Sequence, residues 1–502
     1  MKDNLKMLVI GDIHYSAAEE AAASAPGRHA KYGLELLTRA LRRFAGEEKP
    51  DVLVILGDVT DSGGRQEAND AMIAVEKSGI PAVIIPGNHD APGGRPKPLP
   101  IKNFLLYPFV DSYQEDDKCT RREEDIEKFR LAVKNNPGKK IIALQHNPVY
   151  PMIEDDYPYN LRNAYSVHRA YAENNVILSL SGHYHPGKNL TYKSGESKTL
   201  TLKAFQGRVQ GKNGVGYFTV PALCESPFRY AVIEVRGDKI SADEYALRNP
   251  VPLCDNHCHT QFAYCAEDVT VEKVLERASL LGMDYVCFTE HADQLYLTRE
   301  EYSRMKYLQD AGILISARKN GTDRVKAFRE AVKQSGSAMA KAGLEVCPDA
   351  SGGITLLPED REGLDMVIGA IHFLPGDFSH ADEKEVQRGF MQAFETLVNN
   401  DIDVLAHPFR LFSRSGLKPP RDLFRPVAGM LKNFGVAAEL NFHTNKPSPE
   451  FFEICLREGI KISLGTDTHN LLQAGEFCKH LEFLKMLGIS TEQIGKILYL
   501  LS

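Results

Sequence analysis

Short apolar runs recur along this chain, and nearly every one ends in an aspartate, a histidine or a glycine. In the first half the runs are Met7–Ile10, Val52–Leu56, Ala82–Ile85, Ile141–Leu144 and Val176–Leu180. Runs of this length with no polar alternation read as strands buried on both faces of a largely parallel sheet. Amphipathic stretches between them, Tyr32–Phe44 and Asn69–Ser78, read as helices. The β-α-β-α-β order constrains the fold to an α/β sheet, whose ligands gather at the carboxyl ends of the strands. The second half repeats the pattern. Val269–Leu281 and Thr322–Ala342 read as helices. Tyr285–Phe288, Leu344–Val346, Met366–Ile371, Val404–Ala406, Ala437–Leu440 and Ile462–Leu464 read as strands. A βα barrel fits, because its active sites also collect at the carboxyl strand ends.

The halves meet at Asn249-Pro250-Val251-Pro252, where two prolines in three residues interrupt regular structure. The expected domains are residues 1–248 and 253–502 of a 502-residue chain. Hydrophobic residues at 43% and charged residues at 25% describe an ordinary globular protein. Acidic residues outnumber basic ones, 67 to 60, for a net charge of −7, so no stripe for a nucleic-acid backbone is expected. No run of 18 apolar residues offers a membrane span, and Met1 to Met7 carry no apolar signal segment. Nine dispersed cysteines suit reduced thiols in the cytoplasm better than a disulfide framework.

Five strand ends of the first half carry ligands for divalent metals: Asp12-Ile13-His14, Gly57-Asp58-Val59-Thr60-Asp61, Gly87-Asn88-His89-Asp90, His146 and Gly182-His183-Tyr184-His185. Carboxylate, amide oxygen and imidazole together suit Mn, Fe or Zn. Residues two apart on a strand share a side, so Asp12 with His14, and His183 with His185, are expected to converge by alternation. The five blocks, in this order, resemble the calcineurin-like metallophosphoesterase family, and Gly57–Gly63 looks most like its cyclic-nucleotide phosphodiesterase-type branch. The resemblance covers about residues 5–240 and implies a β-sandwich flanked by helices with two ions. By that pattern Asp12, His14 and His185 hold one ion, Asp58 bridges, and Asn88, His146 and His183 hold the other. His89 then protonates the leaving alkoxide, oriented by Asp61. Between Asp90 and His146 little reads as strand, and Pro92–Pro108 is expected to cap the cleft instead.

The second half carries Asp255-Asn256-His257-Cys258-His259, Thr289-Glu290-His291, Glu345, His372, His407 and Asp467-Thr468-His469. This order resembles the PHP (polymerase and histidinol phosphatase) family, closest to its histidinol-phosphate phosphatase branch, over about residues 253–490. It implies a distorted seven-stranded βα barrel with two or three ions. His257, His259, Glu345 and Asp467 would hold the first, Glu345 with His372 and His407 the second, and His291 with His469 a third. The branch commonly has a histidine six residues after the second histidine of the opening motif. Here that residue is Cys265, either a softer thiolate ligand or a small buried thiol beside a two-ion site. Arg410 is either a clamp for phosphate or a surface residue of the following helix. His443, near the strand end after Glu439, is expected either to touch substrate or, as a lone loop histidine, to be solvated, and His29, His168, His380 and His480 are expected to be structural or exposed.

The function expected is a two-domain, metal-dependent phosphoric ester hydrolase acting on a small phosphorylated molecule, the two sites conceivably working in sequence. A histidinol-phosphate phosphatase with an accessory first domain, and a metal-stabilised binding module, are the alternatives. Sequence alone leaves the oligomeric state open.

Overall fold

The computed structural model describes the chain apart from residues 1–3, 19–24, 45–48, 92, 114–118, 154–160, 188–190, 194–198, 202–206, 208, 311, 376–377, 379–380 and 502. The chain divides into two compact units, Met1–Arg248 and Asn249–Ser502.

Two large sheets build the first unit, beside two short two-stranded ribbons. One contains β1 (Asn4–Ile10), β2 (Val52–Leu56), β3 (Ala82–Ile85), β10 (Arg229–Arg236) and β11 (Lys239–Ala246). Its order is β11-β10-β1-β2-β3, with β1, β2 and β3 parallel and β10 and β11 antiparallel at the other edge. The other sheet contains β4 (Leu99–Ile101), β5 (Phe104–Pro108), β6 (Lys140–Leu144), β7 (Val176–Ser181), β8 (Gln210–Lys212) and β9 (Val215–Thr219), ordered β8-β9-β7-β6-β5-β4. Alternation along the strands fills the layer they share. Leu5, Met7 and Val9 of β1 meet Val54 and Leu56 of β2, with Leu106, Ile142, Leu144, Leu178 and Phe218 from the second sheet. The opposite face of the second sheet, Leu105, Tyr107, Ile141 and Ala143, packs on Phe129, Val167 and Tyr171 of two flanking helices.

Two expectations fail here, the cap formed by Pro92–Pro108 and the scarcity of strand between Asp90 and His146. Residues 99–108 do not cap a cleft, since β4 and β5 complete the second sheet, with β5 buried along its whole length and parallel to β6. The prolines disguised them. Pro100 sits on an edge strand and Pro108 at a strand end, where a missing N–H costs little. Pro92 itself, and residues 114–118, lie outside the described residues.

The second unit is a parallel seven-stranded, nearly closed barrel. In barrel order its strands are β12 (Leu253–Cys258), β13 (Met283–His291), β14 (Ala340–Val346), β15 (Met366–Gly369), β16 (Val404–Leu405), β17 (Ala437–Leu440) and β18 (Ile462–Leu464). A parallel bridge between Cys258 and Thr468 draws the last strand's end to the first. Helices coat the outside. The helix Val271–Leu281 starts on a Thr270 cap and stops at Gly282 in a left-handed turn. The long helix expected over 322–342 is shorter, Val325–Gln334. Gly336 turns the chain at φ 62°, and Ala340 already lies in β14.

Candidate metal centres

In the first unit the ligand residues do not lie on the strands but on the turns that leave them. Asp12, His14, Asp58, His183 and His185 all have positive φ, between 44° and 71°. Such backbone is unfavourable for residues with a Cβ and clusters at functional sites. It is these left-handed turns, not strand alternation, that bring Asp12 beside His14 and send His183 and His185 to different clusters. Asp12, His14 and His185 each offer a ligand atom within 4.8 Å of the others, as do Asp58, His146 and His183, and also His14, Asp58 and His89. Asn88 Oδ1 lies 3.1 Å from His146 Nε2. Glycines make the room. A Cβ on Gly57 would stand 2.4 Å from His146 Nδ1, and one on Gly87 would stand 2.1 Å from Asp58 Oδ1.

Three of these imidazoles are held from behind. His146 Nδ1 donates to the Leu56 carbonyl at 2.7 Å, His14 Nδ1 lies 3.1 Å from Asp61, and His185 Nδ1 lies 2.6 Å from Glu225. With Nδ1 tied, His14, His146 and His185 aim Nε2 at the carboxylates of Asp58 and Asp12, at 3.2–3.4 Å. An acceptor behind the ring fixes its tautomer and orientation, as metal-ligating histidines require. Burial alone would raise the Asp58 carboxyl, yet His146 and His14 hold it well below the carboxylate range. Burial would lower His146, but Asp58 lifts it to about 10, while burial and the charge on His146 push His183 to about 3. His89 is partly exposed. Its Nδ1 lies 2.8 Å from the Asp61 carbonyl, and its ring lies 4.6 Å from that of His14. Asp61 thus orients His89 through its backbone, while its carboxylate serves His14 and Arg28 instead.

The barrel's polar residues converge on Glu345. Its Oε1 lies 3.0 Å from His407 Nε2, 3.4 Å from His372 Nε2 and 3.6 Å from His257 Nε2, and its Oε2 lies 2.6 Å from His291 Nδ1. Asp467 Oδ1 lies 3.1 Å from His259 Nε2 and 3.5 Å from His257 Nε2. Again the rings are anchored at Nδ1, here by Glu439 for His257, Glu290 for His259 and the Asp467 carbonyl for His469. Cys347 Sγ lies 3.3 Å behind His372 Nδ1. A Cβ on Gly465 would meet Glu439 at 1.9 Å, so the carboxylate behind His257 depends on that glycine. His407 and Asp467 also sit at positive φ, 32° and 53°.

Arg410 is buried rather than on the surface. Its Nη1 donates to Asp467 at 2.6 Å, and its Nη2 lies 2.7 Å from Nε2 of both His372 and His407. Cys265 is exposed, not a buried thiol. It reaches hydrogen bonds with His291 and His469, which outweigh burial and lower its pKa to about 5. His443 lies half-buried in a turn, its ring stacked on that of His469 at 4.4 Å. His168 bonds Tyr217, and His480 bonds the Gly465 carbonyl, so both serve packing, while His380 lies outside the described residues. Sequence reasoning missed the residues behind the ligands. Glu290 and Glu439 stand at strand ends and could have been found by that signal, but Glu225 lies 40 residues beyond His185 with no comparable pattern.

Divalent ions fit these donor sets. His14 Nε2 and His257 Nε2 are buried, point into the clusters and have no hydrogen-bond partner. The fold and the two clusters define a metal-dependent phosphoesterase. More particularly, residues 5–187 match the family model of the calcineurin-like phosphoesterases, and residues 255–443 match that of the PHP domain. A probable cyclic nucleotide phosphodiesterase of Coxiella burnetii is 24% identical over 238 residues, covering 43% of this chain and 93% of the relative. A dimetal phosphatase from Danio rerio is similar over 48% of this chain and 96% of its own, at 14% identity and a TM-score of 0.38. The GAP50 anchor of the Plasmodium inner membrane complex is similar over 48% of this chain and 84% of its own, at 12% identity and a TM-score of 0.29. Among the described residues, no helix is long and apolar enough to cross a membrane.

Proposed function

We propose that the first unit opens a phosphodiester of a small molecule and that the PHP unit removes the remaining phosphomonoester. The observation that carries this reading is the anchoring of imidazoles at Nδ1 around two carboxylate-centred clusters. Asp12, His14 and His185 would hold one ion and Asn88, His146 and His183 another, with Asp58 between them. In the PHP unit His257, His259, Glu345 and Asp467 would hold one ion, and Glu345, His372 and His407 a second. When bound, Mn, Fe or Zn would polarise the phosphoryl oxygen and make water a nucleophile near neutral pH.

The chain's own residues complete the chemistry. His89 stands beside the cluster with Nδ1 fixed, so its Nε2 is free to deliver a proton to a leaving alkoxide. Arg410 lies buried against the second cluster, its Nη1 on Asp467 and its Nη2 on His372 and His407, and with those histidines taken by an ion its Nη2 would be released to a monoester's phosphate. The cyclic nucleotide activity named for the Coxiella relative makes cyclic phosphodiesters the first class to try. The nine cysteines are all free thiols, in keeping with a cytoplasmic setting. The test is product analysis on a diester. Asp467→Ala should accumulate the monoester that wild type consumes, and an unchanged product mixture would overturn the sequence of steps.

A further inference from the structure

We propose that Arg414 forms a second anion subsite at the rim of the PHP centre, so that the phosphomonoester taken there carries a further anionic group, a carboxylate or a second phosphate. The inference rests on reading the PHP cluster as the site that holds the monoester's phosphate.

Arg410 and Arg414 stand at the two ends of one short helix, four positions apart, and so share a face. They grip the same turn. Arg410 Nη1 donates to the His443 carbonyl at 3.5 Å, and Arg414 Nη2 donates to the Thr444 hydroxyl at 3.2 Å. That turn is also tied to the cluster. Asn441 is buried, donates to Glu439 Oε1 at 3.1 Å and accepts from the His443 N–H at 2.8 Å. The His443 ring stacks on that of His469, and Gln473 Nε2 lies 3.3 Å from His443 Nδ1. Thr444 itself sits at φ 45°, a conformation that a β-branched residue adopts only when its surroundings impose it. The hydroxyl that holds Arg414 is therefore fixed relative to the cluster.

The two guanidiniums differ in what they have left to bond. Arg410 is buried and engaged with Asp467, His372 and His407. Arg414 is exposed. Among the described residues the Thr444 hydroxyl is the one hydrogen-bond partner of its guanidinium, and no carboxylate pairs with it. Arg304, Arg318 and Arg421 of the same unit all have carboxylate partners, in a chain whose net charge is −7. A guanidinium offers five donors, so Arg414 keeps an open edge at the rim, on the face it shares with Arg410. That planar edge suits a carboxylate or a phosphate through paired donors. Side chains one helical turn apart are spaced by about 5–6 Å, which sets the distance of the second anion from the phosphate at Arg410.

The test uses the full chain supplied with Mn and isothermal titration of non-hydrolysable phosphonates. Meta-carboxybenzylphosphonate and its carboxamide have nearly the same shape and differ by one charge. Wild type should bind the carboxylate about tenfold more tightly, the lower end for a hydrogen bond to a charged group. Arg414→Gln should bring the two affinities together, and Arg414→Lys should keep part of the difference. The bisphosphonate of the same ring separates the two anions. Tighter binding than the carboxylate assigns a second phosphate, and weaker binding assigns a carboxylate. Wild type that binds neither compound, or both equally, would overturn the subsite. So would a preference that survives Arg414→Gln, even with both affinities lowered, since it would leave Arg414 to the reacting phosphate or to the fold. Asp467→Ala separates the two levels of failure. If it binds both phosphonates as wild type does, the PHP cluster does not hold the phosphate and both readings fall. If it loses both while Arg414→Gln keeps the preference, only the subsite falls.

Discussion

His89, like His183, sits beside the first cluster with part of its ring open to solvent. Its Nδ1 is tied, to the Asp61 carbonyl, but its ring is partly open to solvent rather than packed among carboxylates. A group so placed can pass a proton without losing an ion, so His89→Ala should lower diester turnover by roughly 10²–10⁴-fold. Metal content should stay at the wild-type value, and a parallel loss of metal would make His89 a ligand instead. His480 shows the opposite use of the same side chain. It is buried between Phe442 and Phe477, and burial holds its pKa at about 4 although Nε2 donates to the Gly465 carbonyl. The folded chain keeps it neutral, whereas the unfolded chain protonates it near pH 6.5. Its contribution is therefore whole above pH 6.5 and is lost as pH falls towards 4, by about 3 kcal/mol in all. Denaturant unfolding at pH 7 and pH 4.5 should show wild type losing more stability than His480→Phe, and equal losses would contradict this. The ligands themselves were legible because their residue types recur at strand ends. The anchors were not, since Glu225 and Arg28 reach the site from segments whose local sequence carries no periodic signal.

At the scale of elements, the sites are made by strand-to-turn junctions. Gly57 closes β2 at φ 90° and leaves no space for a Cβ beside His146 Nδ1. Gly57→Ala should therefore cost about 1–2 kcal/mol of backbone strain and also displace His146. Diester hydrolysis and one metal position should be lost while monoester hydrolysis persists; retention of diester activity would show that the turn can relax. Apolar runs announced most strands, because both faces of a parallel strand are buried and its residues need no alternation. The strand at Phe104–Pro108 escaped notice for the converse reason. Its flanking prolines read as loop, and only its place beside β6 reveals them as edge and end positions. The helix expected over 322–342 was overextended because Gly336 and the start of β14 share the polar composition of a helix surface.

At the scale of the molecule, each unit has its own core and its own cluster. The sandwich core is Leu5 through Val235, and the barrel core runs from Leu253 to Leu498. The residues assigned to each cluster all belong to its own unit. The account therefore requires two separable activities in one chain. The direct measurement is hydrolysis of an aryl phosphodiester and an aryl phosphomonoester, with Mn or Zn supplied, by wild type, Asp58→Ala and Asp467→Ala. Wild type should cleave both esters, Asp58→Ala should lose only the diester, and Asp467→Ala should lose only the monoester. If both activities survive both substitutions, or if one substitution abolishes both, the assignment of one phosphoesterase centre to each unit is wrong.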